Sequence, residues 1–318
     1  MQQFGYALSS EEHAPLDLVR NATLAEDAGF DFLSISDHYH PWIDAQGHSG
    51  FVWGMIGAIA ASTSRIRLGT GVTAPIIRIH PAILAQATAT AACLMPGRFL
   101  LGVGSGEKLN EHILGDRWPE VDVRLEMLEE AVDVIRLLWE GGLKSHHGRH
   151  YTVENARIYD LPEQRPPILI AGSGAKSVGL AGRIGDGFVS LAPAEGILED
   201  FDKAGGTGKP RYAEATVCWA EDEAEARRTV YEQWPIAGIK GQLSQELPLP
   251  SHFAQAASMI DEDTVAASVP CGPDPDVHIA GAREFIDAGY THVWFHQVGP
   301  DQEGFFRFYE NEVLPKLL

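Results

Sequence analysis

Short apolar runs alternate along the chain with longer stretches in which apolar residues recur every three or four positions. The first pattern reads as strands buried on both faces, the second as amphipathic helices. Strands are expected at residues 4–8, 32–35, 66–70, 99–103, 168–171, 188–191, 213–218 and 292–297. Pro15 opens a helix that Gly29 closes, with Leu18, Ala22 and Ala25 on one face. Helices are also expected at 51–61 and 81–94. The clearest helix carries Leu125, Leu128, Val132, Ile135 and Trp139 as a buried stripe and ends at Gly141-Gly142. Residues 151–161 read as an irregular or hairpin insertion. Eight regularly spaced strand–helix units predict one α/β domain over 1–318, a (β/α)8 TIM barrel. A doubly wound open sheet is the structural alternative. The stretch 234–270 is too long for a simple connection and carries Pro248, Pro250 and Pro270. It is expected to cap the barrel mouth as a lid. Pro248, Phe253 and Met259 suggest an apolar wall there.

Composition narrows the partners. The chain has 318 residues, 45% hydrophobic and 21% charged, which suits a folded domain of this size. Its net charge of -20 argues against nucleic acid or an anionic membrane as the main partner and leaves a small-molecule substrate. Cys93, Cys218 and Cys271 form no metal or disulfide pattern and are expected to be buried or half-buried thiols in a reducing cytoplasm. The sequence shows no signal peptide and no membrane span.

In a barrel, residues distant in sequence meet at the C-terminal strand ends. Gly102-Val-Gly-Ser-Gly-Glu107 stands at one of them. Glycines let the backbone approach a flat or anionic ligand, and a carboxylate held there can move a proton. Two other readings stand beside this one: a plain tight turn with Glu107 solvated, and a dinucleotide-binding phosphate loop. Asp37-His38 follows the second strand, and a histidine in that position can accept a hydroxyl proton. Asp37, His38 and His40 are also the only candidate metal set, with no second cluster behind it. No metal is expected. Trp42 is placed to stack on a planar cofactor or to pack. Gly172-Ser173-Gly174 precedes a helix start, where backbone N–H groups favour phosphate, and Lys176 lies nearby. His146, His147 and His150 fall in the polar insertion and are expected to be solvated.

Taken together, Ser36-Asp-His-Tyr-His-Pro-Trp42, Leu68-Gly-Thr-Gly-Val72, His80-Pro-Ala-Ile-Leu-Ala-Gln86, Gly102-Val-Gly-Ser-Gly-Glu107, Leu109-Asn-Glu111, Trp118-Pro119 and Ala181-Gly-Arg-Ile-Gly-Asp-Gly-Phe188 resemble the coenzyme F420-dependent glucose-6-phosphate dehydrogenase family of the luciferase-like barrel superfamily. The resemblance runs over essentially the whole chain. It implies a (β/α)8 barrel, usually a homodimer, with the deazaflavin in the mouth. It implies His38 and Glu107 as acid–base residues, with Trp42 and Glu11 near the reacting centre. Asp37, Thr70, Gly71, Val72, Gly106 and Asn110 would line the cofactor, and Gly172, Ser173 and Gly174 would lie near its phosphate. A non-proline cis peptide is implied at Gly71-Val72. Asp37 is expected to hold or polarise the transferred proton with His38.

The chain departs from that family where the sugar phosphate is held. Ser190-Leu-Ala-Pro-Ala194 lacks the threonine and lysine found there, and Ser268 replaces an arginine. Lys240 is the candidate to replace a remaining lysine. A phosphate dianion without cations is disfavoured. The expectation is an F420-dependent dehydrogenase or reductase acting on a secondary alcohol or carbonyl rather than a sugar phosphate. The alternatives are an FMN-dependent monooxygenase and a non-catalytic F420-binding protein.

Overall fold

The computed structural model describes residues 2–193, 196–239 and 241–317. Eight parallel strands close into a barrel in the order β1-β10-β9-β8-β7-β4-β3-β2. They are β1 (Gln3–Leu8), β2 (Phe32–Ile35), β3 (Arg67–Thr70), β4 (Phe99–Val103), β7 (Ile168–Ala171), β8 (Gly187–Ser190), β9 (Arg211–Val217) and β10 (His292–Gln297). β5 (Lys144–His147) and β6 (Thr152–Ala156) form a separate antiparallel hairpin. Closure rules out the open sheet. Each expected strand exists, with boundaries moved by a residue or two.

The insertion does contain a hairpin, but its first strand starts before residue 151. Two of its histidines are not solvated as expected. His146 Nε2 lies 3.0 Å from Glu130 Oε1, and the same carboxylate accepts the backbone N–H groups of Arg149, His150 and Tyr151. The His150 side chain is largely buried, and only His147 is exposed. One half-buried carboxylate, Glu130 on the helix Val121–Leu138, therefore gathers the hairpin's donors.

Strand alternation sends Ala7, Phe32, Leu100, Leu169, Val189, Tyr212 and Trp294 into the barrel interior. The other face of each strand packs against the helices in the main core. The N-terminal end of the barrel is plugged. Tyr212 and His292 stack there at 4.0 Å, and Arg67 covers Phe32. Burial, with Arg67 nearby, pushes the His292 imidazole down to about 4, so it packs as a neutral ring. These side chains fill the interior at that end.

The segment 234–270 folds as short helices, Leu243–Glu246, Pro250–Ala257 and Glu262–Ala266, after a turn at Pro235–Gly238. Phe253 is fully buried, while Met259 is 82% exposed, so Met259 is no part of an apolar wall. Arg124 anchors this segment. Its guanidinium donates to the carbonyl of Pro119 at 2.8 Å, to Gln245 at 3.2 Å and to Glu246 at 3.4 Å, and stacks on Trp118. Cys218 is buried and Cys271 half-buried, whereas Cys93 is exposed against expectation. Among the described residues no helix is long and apolar enough to cross a membrane.

Candidate active site

The loop after β1 is Ser9-Ser10-Glu11-Glu12-His13, and it is tied to the end of β2. The Ser10 N–H donates to Ser36 Oγ at 2.8 Å, and Ser10 Oγ donates to the Ser36 carbonyl at 2.8 Å. This brings Glu11 beneath His38. Glu11 is 1% exposed, and its Oε2 accepts Ser36 Oγ at 2.7 Å and Ser9 Oγ at 3.1 Å. His38 Nδ1 lies 3.3 Å from Glu11 Oε1 and 3.2 Å from the His40 carbonyl. The His40 carbonyl only accepts, so the neutral ring carries its hydrogen on Nδ1 and presents Nε2 as the acceptor. Nε2 lies 3.6 Å from Glu107 Oε2, just beyond hydrogen-bond length.

Glu107 is held by its own turn. Gly106 has φ +72°, and a Cβ there would press on Ala74 and Glu111 at 3.0 Å. One strand earlier, a Cβ at Gly102 would run into the Thr70 carbonyl. The Thr70 hydroxyl both donates to the Gly102 carbonyl at 2.7 Å and accepts the Gly102 N–H at 3.1 Å. The helix after Glu107 is only Lys108–Glu111, too short for the start of a dinucleotide fold. The Glu107 side chain is 33% exposed, the one carboxylate of this group open to the mouth. Asn110 Nδ2 donates to it at 3.2 Å, while Asn110 Oδ1 accepts the backbone N–H groups of Tyr39 and His40 at 2.9 and 3.3 Å. His40 Nδ1 reaches the Leu109 carbonyl at 3.0 Å. Asn110 thus fastens the His38 loop to the Glu107 loop.

Asp37 does not serve His38, as the sequence had suggested. Its carboxylate accepts the Thr73 hydroxyl at 2.7 Å and the Arg78 guanidinium at 2.9 Å. Arg78 also reaches Glu111 Oε1 at 3.4 Å, and the Arg78 N–H donates to Glu111 Oε2 at 2.8 Å. Burial alone would lower the Arg78 pKa, but Asp37 and Glu111 outweigh it and hold the guanidinium above its ordinary value. Burial pushes the Glu111 carboxyl up despite these donors. Glu11 rather than Asp37 is the carboxylate beside His38 Nδ1, and the Asp37 carboxylate is engaged by Thr73 and Arg78. His40 and Asp37 are likewise engaged elsewhere, so the three-residue metal set does not converge.

The other expected positions sit as follows. The Gly71-Val72 peptide is cis. Trp42 packs between His38, ring centroids 4.8 Å apart, and Phe253 of the 234–270 segment, 5.2 Å away. Gly172 donates its N–H to the Val189 carbonyl, and Ser173 and Gly174 donate theirs to Ser177 Oγ at the exposed start of the helix Ala175–Ile184. Lys176 is exposed and pairs with Asp122 at 2.6 Å. Lys240 lies outside the described residues.

Sequence reading missed Arg78, Glu12 and His296. Arg78 could have been noticed as a lone cation in the apolar run Pro75-Ile-Ile-Arg-Ile-His-Pro81, where a buried charge needs a partner. His296 lies inside a strand and carries no loop signature.

An acid–base set of this kind on a (β/α)8 mouth can be compared with known proteins. Residues 2–292 match the luciferase-like monooxygenase model. The chain belongs to that family. Two curated relatives are called F420-dependent glucose-6-phosphate dehydrogenase. The one from Microbacterium testaceum is 36% identical over 327 residues, covering 99% of this chain and 97% of that protein. The one from Beutenbergia cavernae is 36% identical over 331 residues, covering 100% and 98%. A solved F420-dependent secondary alcohol dehydrogenase in complex with an F420–acetone adduct is 29% identical, with a TM-score of 0.93 over 100% of this chain and 99% of that one.

Proposed function

We propose that this chain is an F420-dependent oxidoreductase that moves a hydride between a secondary alcohol or ketone and C5 of the deazaflavin. The observation that carries the reading is the His38 imidazole, set between buried Glu11 and open Glu107 with its Nε2 lone pair toward the mouth. Similarity to the F420-dependent relatives supports the cofactor. The residues present fit it: Glu107 is open at the mouth and a Cβ at Gly174 would meet nothing, although the N–H groups of Gly172, Ser173 and Gly174 already have partners within the chain.

Coenzyme F420, when bound, supplies the hydride acceptor or donor. His38 Nε2 takes the hydroxyl proton in oxidation and returns it to the carbonyl oxygen in reduction. The His40 carbonyl accepts from Nδ1–H, and Glu11, 3.3 Å from Nδ1, offsets the positive charge that His38 gains. Glu107 Oε2 holds or releases the second proton at the solvent-facing side, and Asn110 keeps it there. Trp42 and Phe253 keep water from the imidazole.

Glucose 6-phosphate is not the preferred substrate in this reading, although the curated relatives carry that name. The stretch 190–193 holds no cation, and the Ser190 hydroxyl donates to the Ala192 carbonyl at 3.0 Å. The Ser268 hydroxyl donates to the Val265 carbonyl at 2.7 Å. A homodimer in the cytoplasm belongs to the same proposal, and sedimentation velocity tests the dimer.

The function is tested by absorbance titration with F420 and FMN, then by F420 reduction with alcohols, sugars and sugar phosphates. Tight F420 binding with turnover of an unphosphorylated secondary alcohol is expected. Binding of FMN alone would make the chain a flavin enzyme. F420 binding with no turnover in either direction would make it a carrier. Efficient turnover of glucose 6-phosphate would refute the substrate assignment. His38→Ala should lower kcat by roughly a hundredfold or more with F420 affinity nearly unchanged.

A further inference from the structure

Beside the Glu11–His38 pair stands a second one that the mechanism above leaves unused. Glu12, the next residue along, is paired with His296 at the mouth end of β10: Glu12 Oε2 and His296 Nε2 are 2.5 Å apart, and both side chains are at least 96% buried. His296 lies two positions beyond Trp294, so strand alternation turns it to the barrel interior. Its other nitrogen, Nδ1, and Glu12 Oε1 find no partner.

Two further carboxylates are among the groups that face this pair. Glu11 and His13 come from the same loop, Tyr6 from β1, Glu214 from β9, Cys218 from the residue after it, and Trp234 from the 234–270 segment. His13 is held below its ordinary value, chiefly by burial, and is itself faced by His48 and Asp17. Burial works against the charged form of His296 too, but Glu12, Glu214 and Glu11 outweigh it and hold the ring above its ordinary value. The pair therefore places an imidazole whose charged form is favoured among Glu12, Glu11 and Glu214, next to the carboxylate that lies beside His38.

We propose that His296 is a positioning residue for the reaction read above, on which this inference rests. Its imidazolium balances Glu11 and Glu12, so that Glu11 stays available to offset the positive charge that His38 gains. A buried ion pair is often only structural. The two roles differ in one measurable respect: losing a positive charge raises the proton affinity of every group facing it, whereas losing a structural contact does not.

The test is the pH profile of kcat/KM for secondary alcohol oxidation. His296→Gln keeps a donor for Glu12 but removes the charge. It should move the acid limb up by about one pH unit and leave F420 affinity within about twofold of wild type. Adding Glu12→Gln removes the stranded negative charge and should return the limb to its wild-type position. An unmoved limb in a His296→Gln protein that melts like wild type would overturn the proposal. So would a double variant no closer to wild type than the single one. Should His296→Gln fail to fold, imidazole nitrogen spectra of the wild type decide: a charged ring at neutral pH supports the proposal, and a neutral ring overturns it. Absence of any turnover by wild-type protein with bound F420 refutes the functional reading and this inference with it.

Discussion

Replacing Arg78 by Met asks how much of the site rests on one buried cation. Arg78 donates to Asp37 Oδ1 at 2.9 Å, to the Asp37 carbonyl at 3.1 Å and to Glu111 at 3.4 Å, with its side chain 7% exposed. Methionine fills similar space with no charge. Asp37 would keep the Thr73 hydroxyl, and Glu111 would keep the N–H groups of residue 78 and Ile77. Breaking a buried pair by removing one partner costs about 3–5 kcal/mol. The donors that remain place this case near the lower end, about 3 kcal/mol.

That cost has a pH signature. Glu111 already sits above its ordinary value of 4.5 because it is buried. A carboxyl raised in the folded state binds its proton more tightly folded than unfolded. Stability therefore falls as pH rises from 4.5 through the folded value. Without Arg78, Asp37 and Glu111 both lose a counter-charge and that window widens. The deficit of Arg78→Met should be largest near pH 8 and shrink toward pH 5. Urea unfolding at several pH values reads it directly. In thermal melts about 3 kcal/mol corresponds to a drop of roughly 6 °C for a chain this large. Turnover should fall as well, because Asp37 precedes His38 in the chain. A loss below about 1 kcal/mol, or one that does not vary with pH, would refute the reasoning.

Phe253→Ala empties a fully buried position against Trp42, worth about 3–5 kcal/mol of local packing. Faster hydrogen exchange over residues 250–257 and a raised KM are expected, and unchanged exchange would count against the contact. Arg124→Ala removes the donors that hold Gln245 and Glu246, so limited proteolysis should cut near 243–250 sooner than in wild type. Equal cleavage rates would show that the segment is held by other means. Glu12→Gln breaks the pair with His296. Glu12 is held below 4.5, where burial opposes but His296 outweighs it, and His296 is held above 6.5. The carboxylate's contribution is present above 4.5 and lost at lower pH, and the imidazolium's is present below 6.5 and lost at higher pH. The stability difference from wild type should therefore be greatest between those values, as melts across pH 4–9 can measure.

The barrel was legible from the sequence because its strands are largely buried on both faces and therefore carry short apolar runs. The apolar run at Phe99–Val103 and the glycines after it marked a strand end, and Glu107 stands where they pointed. The hairpin was half visible: its second strand lies in the expected insertion, while its first strand, Lys144–His147, is polar and has no periodicity to read. The partners of Asp37 and His38 were not legible. Adjacent residues on a loop need not share partners, and charge pairing depends on separations that folding sets.

The pattern of apolar positions determined the order and number of the βα units, and hence which ends of the strands form the mouth. It also placed His38 and Glu107 at such ends, while Glu11 was implied only by the family resemblance. Tertiary structure alone decided that Glu11 rather than Asp37 serves His38, that Arg78 binds Asp37 and Glu111 together, and that His296 meets Glu12. Local preference acts within a few residues, but these contacts join the ends of neighbouring barrel strands that lie far apart in the sequence. Their distances follow from closure and register, which no stretch of sequence carries by itself.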